Sequence, residues 1–251
     1  MGVIDVTLFG IVPGVLIFAT QMVWIPFWAA GVINGVGHYW GYRHWATPDW
    51  STNISPWGVL IGGEELHNNH HAYPTSAKLS YKWYEFDIGW LYIRILESLG
   101  LATVKHVAPT PRLAAPKPVV DPATLHAVVE CRYDVLARYA RSLKRIFDEE
   151  ISKLTHASPE DARRLKIVQP LLDRDEKTLG DRERAQIAET LPKARALYTA
   201  YAMRRDLAAL WARSAATRDQ LIRQLQDWCT RAEESGIRPL VDFSHRLRSY
   251  S

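Results

Sequence analysis

The run VTLFGIVPGVLIFATQMVWIPFWAAGVINGVGHYWGY, Val6 to Tyr42, contains no Asp, Glu, Lys or Arg. About 20 apolar residues are enough to cross a bilayer, and this run has 37. As one straight helix it would reach about 55 Å at ~1.5 Å per residue, well beyond a hydrocarbon core of roughly 30 Å. Pro13-Gly14 and Pro26 are the natural breaks, so a partial or full span is expected over Val6–Thr20 and a second over Met22–His44. No basic residue precedes the run, Asp5 does, and its length exceeds that of a signal peptide. The alternative is a buried helix of a soluble protein.

Outward from this run the chain divides by charge. Residues 1–119 carry 7 Lys/Arg, 7 Asp/Glu and 8 of the 10 Trp, whereas residues 120–251 carry 24 Lys/Arg and 20 Asp/Glu. The whole net charge of +4 therefore lies in the second half. The 47% apolar fraction excludes disorder throughout, and two cysteines, Cys131 and Cys229, exclude a disulfide framework. Arg43, Lys78, Lys82, Arg94 and Lys105 all follow the apolar run, which places everything after Tyr42 in the cytoplasm by the positive-inside rule. Four regions follow: transmembrane helices at 1–45, a histidine-bearing cap at 46–110, a Pro-rich linker at 111–120 and a charged helical region at 121–251.

Histidine spacing carries the chemistry. In Gly62-Gly63-Glu64-Glu65-Leu66-His67-Asn68-Asn69-His70-His71, the three histidines fall at i, i+3 and i+4, one face of a helix. Three converging imidazoles are a ligand set for Fe, Cu or Zn. Asn34 and His38 lie four apart near the end of the apolar run, where polar side chains are functional candidates. The connection Ala46–Gly63, with Pro48, Pro56 and a turn at Asp49–Asn53, is long enough to bring His38 to the His67–His71 face. Glu64 and Glu65 are candidates to hold an imidazole N–H, or exposed acids of a first helical turn.

The text Asn34-Gly-Val-Gly-His38-Tyr-Trp-Gly-Tyr-Arg, then Ser51-Thr-Asn-Ile, then Gly63-Glu-Glu-Leu-His67-Asn-Asn-His70-His71-Ala-Tyr-Pro74, resembles the C-terminal part of membrane-bound fatty acyl desaturases of the delta-9, stearoyl-CoA type. The continuation from Tyr81 to Ala102 is similar too, so that the resemblance covers about residues 10–110. It implies a pair of irons held mainly by histidines, with His38, His67, His70 and His71 as ligands and Asn34 acting through water. It also implies an O₂-dependent reaction that places a cis double bond in a fatty acyl chain, CoA- or lipid-linked. An electron donor such as ferredoxin, cytochrome b5 or a reductase would be the partner, together with membrane lipid. Trp40, Trp45, Trp83 and Trp90 are candidate tunnel walls, or belt and core residues.

The family pattern also needs two earlier histidine boxes, and no histidine precedes His38. The expected fold is therefore an all-α, truncated helical membrane protein of one or two spans, with a cytoplasmic histidine-box cap and a soluble helical C-terminal region. Inactivity in isolation is expected. The alternatives are a non-enzymatic remnant with an incomplete metal site and part of a related histidine-box hydroxylase.

In the second half, Asp121-Pro122, Ser158-Pro159-Glu160-Asp161 and Thr217-Arg-Asp-Gln220 are helix starts. Val128, Val135, Tyr139, Leu143 and Ile146 follow helical spacing. Four or five amphipathic helices burying Trp211 and Trp228 are expected. The basic clusters Arg138, Arg141, Lys144, Arg145 and Arg163, Arg164, Lys166 read as solvated faces interleaved with acids, and no nucleic-acid partner is expected.

Overall fold

A computed structural model gives the fold, describing residues 1–172, 174, 178–212 and 216–251. The chain is helical with almost no strand, and it forms two compact units, Met1–Ala108 and Pro109–Ser251.

The first unit opens with α1 (Gly2–Phe9) and α2 (Ile11–Pro26), joined by a turn at Gly10. A Cβ on Gly14 would lie 2.5 Å from the Val6 Cα, so only glycine lets the two helices touch there. The break thus falls at Gly10 and not at Pro13-Gly14. Pro13 sits in the first turn of α2, where its missing N–H costs no helical hydrogen bond. Pro26 does not end the helix either. The chain continues as a π-helical segment over Phe27–Val36, a register change that absorbs the hydrogen bond proline cannot donate. Ile11–Val36 is long and apolar enough to cross a membrane, and few of its side chains are buried.

Beyond the π-helical segment come a two-residue parallel pairing of β1 (Trp57–Gly58) with β2 (Phe86–Asp87), the short α3 (His67–Ala72) and α4 (Ile88–Ser98). Asp87 caps α4 by accepting the Trp90 N–H at 2.9 Å.

The second unit contains α5 (Pro122–Glu130), α6 (Arg132–Ala157), α7 (Pro159–Leu172), α8 (Asp181–Thr190), α9 (Arg195–Ala212), α10 (Arg218–Glu234) and α11 (Arg238–Leu247). Asp121 accepts the Thr124 N–H at 2.7 Å, and Thr217 with Gln220 forms a reciprocal cap on α10. The helical periodicity from Val128 to Ile146 is interrupted at Cys131, between α5 and α6. Tyr139, Trp228 and Phe243, from α6, α10 and α11, pack edge to face with centroids 5.1–5.9 Å apart. The Tyr139 hydroxyl donates to the Ala200 carbonyl at 2.6 Å and the Trp228 indole to the Met203 carbonyl at 2.8 Å, which fixes α9 against the triad. Trp228 is fully buried as expected, but Trp211 is only half-buried, with the Arg132 guanidinium over its ring.

The proline-rich stretch is held in place by this unit. Ala114 and Lys117 donate backbone N–H groups to the Ser249 and Arg248 carbonyls, and Leu113 bridges Tyr250. The basic clusters are interleaved with acids: Arg138 pairs with Asp134 at 2.6 Å and Arg164 with Glu160 at 2.7 Å.

Replacing Trp228 by Ala empties the centre of the triad and should cost about 3–5 kcal/mol. Urea unfolding of the full chain in detergent, followed by near-UV circular dichroism, checks this. A loss below about 1 kcal/mol would mean that Trp228 is not at the packing centre.

Candidate metal centre

The π-helical segment stops at Val36, and His38 lies in the turn that follows. Thr52 fixes this turn, its N–H and hydroxyl both donating to the Gly37 carbonyl, at 2.6 and 2.9 Å. A Cβ on Gly37 would come within 3.1 Å of the His67 ring, so the glycine admits that ring. From here the chain turns back, pairing Tyr42 with Asn53.

His67, His70 and His71 lie on α3, and two asparagines between them anchor that helix. Asn68 accepts the His44 and Trp45 N–H groups, each at 2.9 Å, and donates to the Trp45 and Ser51 carbonyls, each at 3.0 Å. Asn69 accepts from the Trp45 indole and the Asn53 amide, and donates to the Leu79 carbonyl and the Glu85 carboxylate. Glu85 has a fully buried side chain. One of its oxygens accepts from Tyr42, His44 and Asn53, and the other from Asn69 and the N–H groups of Tyr81 and Lys82. Burial alone would raise this carboxyl. The donors, His44 foremost, outweigh burial and hold it at about 2.

The imidazoles of His38, His67 and His71 converge, with one nitrogen of each lying within 4.8 Å of the others. The Nε2 atoms of His38 and His67 are 3.2 Å apart. Asp49 sets the other two tautomers. Its backbone carbonyl accepts from His38 Nδ1 at 2.8 Å and its carboxylate pairs with His71 Nδ1, so each ring keeps its Nε2 lone pair for the shared space. Burial works to raise the Asp49 carboxyl, but bonds from Ser51, Thr47 and His71 hold it below the usual carboxylate range. His67 is pushed down to about 4, first by burial and then by the charge of its histidine neighbours, so it is neutral at pH 7. Among the described residues its buried Nδ1 has no hydrogen-bond partner, and the Glu64 carboxylate stands 4.0 Å away.

Not every expected residue joins this group. The His70 ring lies parallel to that of His67 with centroids 6.4 Å apart, and it is not one of the converging donors. Asn34 is exposed on the π-helical segment; because that segment ends before His38, the two do not share a helical face. Glu65 binds the N–H groups of Leu60 and Ile61, a loop contact and not a histidine contact. Of the tryptophans, Trp45 is a core residue against Tyr73 and Tyr81, while Trp40 and Trp83 are exposed. Asp49 was legible only as a turn residue and Glu85 only as part of an aromatic stretch. The pair of irons implied by the resemblance does not fit these residues: the converging donors surround one point, and His70 and Asn34 form no second group with them.

A family model described as Transposase, of the ISL3 type, matches residues 124–251. Through this second unit the chain belongs to the ISL3-type transposase family. Curated desaturases are similar to a smaller share of it. The delta-9 acyl-lipid desaturase 1 of Arabidopsis thaliana is 46% identical over 72 residues, 29% of this chain and 24% of the relative. The acyl-CoA C20 delta-5 desaturase of Anemone leveillei is 44% identical over 79 residues, 32% and 25% of the two chains. The icosanoyl-CoA 5-desaturase of Limnanthes douglasii is 48% identical over 71 residues, 28% and 20%. The chain thus spans about a quarter of the length of the curated relatives it matches, which is a match to a partial desaturase. No solved structure matches it. The apolar helix and the desaturase relatives together indicate membrane association. The transposase match runs against the expectation that residues 121–251 have no nucleic-acid partner.

Two of the shifted groups, His67 and Glu85, make the first unit acid-labile. His67 takes up a proton in the unfolded chain near 6.5 but in the folded chain only near 4, so its contribution is complete above 6.5 and is lost as pH falls toward 4. Glu85, depressed from 4.5 to about 2, stabilises above 4.5 and loses this on the way to 2. Thermal melts of the full chain in detergent should fall in both windows. Glu85→Gln should lower stability by roughly 2 kcal/mol or more at pH 7 and remove the lower step. An unchanged melt for that variant would show the carboxylate to be dispensable.

Proposed function

We propose that the first unit is the C-terminal, histidine-box portion of an acyl desaturase centre, with iron as its metal and a fatty acyl chain as the substrate class. Its contribution is His38, His67 and His71 as imidazole donors, with His70, and Asn34 through water, completing a larger centre only when further donors are supplied. Four imidazoles are too few for two irons, so turnover by this chain alone is not expected. The observation that carries the reading is the convergence of three histidines, two of them oriented by Asp49, in a chain of which 29% is similar to a desaturase.

On this reading iron supplies oxygen activation when bound, and the chain's own residues hold and orient the donors. The apolar helix supports a position for the centre beside lipid, and the cations that follow the apolar run support the cytoplasm as the side of the cap and the second unit. Electrons would come from a ferredoxin, a cytochrome b5 or a reductase. Co-expression with the N-terminal half of a delta-9 desaturase tests the proposal. Product is expected from the reconstituted pair and not from this chain alone, and His70→Ala or His71→Ala should abolish it with membrane insertion unchanged. Product formation by either variant would overturn the ligand assignment.

A second reading rests on the transposase match. The second unit would then be a helical domain of a DNA-transposing protein, joined here to desaturase-like sequence, with duplex DNA as its partner. Exposed Arg141, Lys144, Arg163 and Lys166 are the cations available to phosphates. Fluorescence anisotropy with a labelled duplex should show binding at low salt that falls steeply as salt is raised. Absence of binding at the lowest salt would remove this reading.

A further inference from the structure

We infer that this chain by itself binds one first-row divalent transition-metal ion, in a site built from His38, His67 and His71, and not a pair of irons. The inference deepens the metal-centre reading above and departs from it in stoichiometry and in excluding His70.

His38 and His67 already stand at the spacing of one coordination shell, and His71 lies close beside them. Metal–imidazole bonds of about 2.0–2.1 Å put two nitrogens of one tetrahedral or octahedral shell about 3.0–3.4 Å apart. The Nε2 atoms of His38 and His67 stand 3.2 Å apart, and the third donor, on His71, completes a group that spans at most 4.8 Å. Without an ion, two ring nitrogens facing each other at this distance share at most one proton, and the buried Nδ1 of His67 gains no partner. With an ion, all three Nε2 atoms become donors and each Nδ1 carries its proton. The Nδ1 protons of His38 and His71 are already directed at Asp49, while that of His67 faces the Glu64 carboxylate at 4.0 Å.

His70 is the discriminating residue. It has the same spacing on the sequence as a ligand, but its ring stacks parallel to His67 and outside the group. Three protein donors leave at least one position on the ion open to water or another small ligand, as in three-histidine catalytic sites. Three neutral imidazoles with one carboxylate behind them suit Zn(II), Co(II), Ni(II) or Fe(II), where an all-oxygen site would select Mg(II) or Ca(II).

Chelator-stripped full chain in detergent, purified without a polyhistidine tag, is titrated with Co(II). Bound metal is counted after dialysis and the ligand-field spectrum is recorded. One ion per chain is expected. His38→Ala, His67→Ala and His71→Ala should each weaken binding more than tenfold, whereas His70→Ala should leave affinity within about twofold. Asp49→Asn should weaken it by about 10–100-fold with the stoichiometry still one. Circular dichroism of every variant separates loss of a ligand from loss of fold, and the His70→Ala arm tests the site even where another variant unfolds. Two ions per chain with His70 required would overturn the one-ion site and leave the desaturase reading standing. No retained metal, or one ion indifferent to all three histidines, would overturn the one-ion site, while the desaturase reading, whose centre needs donors from a second chain, stands or falls on the co-expression test above.

Discussion

A carboxylate with no access to water holds the histidine-bearing unit of this protein together. Glu85 accepts from six donors spread over the segments 42–53, 69 and 81–82. Those segments share no regular secondary structure that could align them, since the first unit's only pairing of named strands is two residues long. A buried, multiply bonded acid is worth more than a surface one because an unmet donor in the interior costs its full desolvation. Asn69 passes this constraint to α3 from one side and Asn68 passes the constraint of the 44–51 segment from the other. The histidines are therefore aimed by amides and acids that bind no metal, a division of labour that short helices need because six residues cannot hold a helix by propensity alone.

The sequence made some of this readable and concealed the rest for physical reasons. The i, i+3, i+4 spacing correctly puts His67 and His71 on one side of α3, and a long return loop correctly brings His38 to them. His70 has equally good spacing, yet in a helix of less than two turns its ring faces elsewhere. Asn34 and His38 lie four residues apart in the sequence, yet they share no helical face because the helix changes to π geometry after Pro26 and ends at Val36. Asp49 and Glu85 had no local signature. Their histidine partners, His71 and His44, are 22 and 41 residues away, and neither hydropathy nor periodicity reports contacts at that range. Caps were easier: Asp121, Thr217 and Gln220 act within three residues of themselves, where spacing is geometry.

The chain carries two unrelated likenesses. About 29% of it is similar to an acyl desaturase, a family that the histidine text of the first unit resembles, and the match to transposases starts at residue 124, inside the second unit. The cores of the two units differ accordingly. The first is held by buried polar bonds beside an exposed apolar helix, and the second by a continuous apolar core around Tyr139, Trp228 and Phe243. Such unlike sources of stability are what separately evolved pieces would bring to one chain.

The pairing of Arg112–Lys117 with Arg248–Ser251 has one more implication. Because residues 112–117 and 248–251 run side by side, the helices between them are bracketed by one set of backbone hydrogen bonds, and fraying of either segment breaks the same bonds.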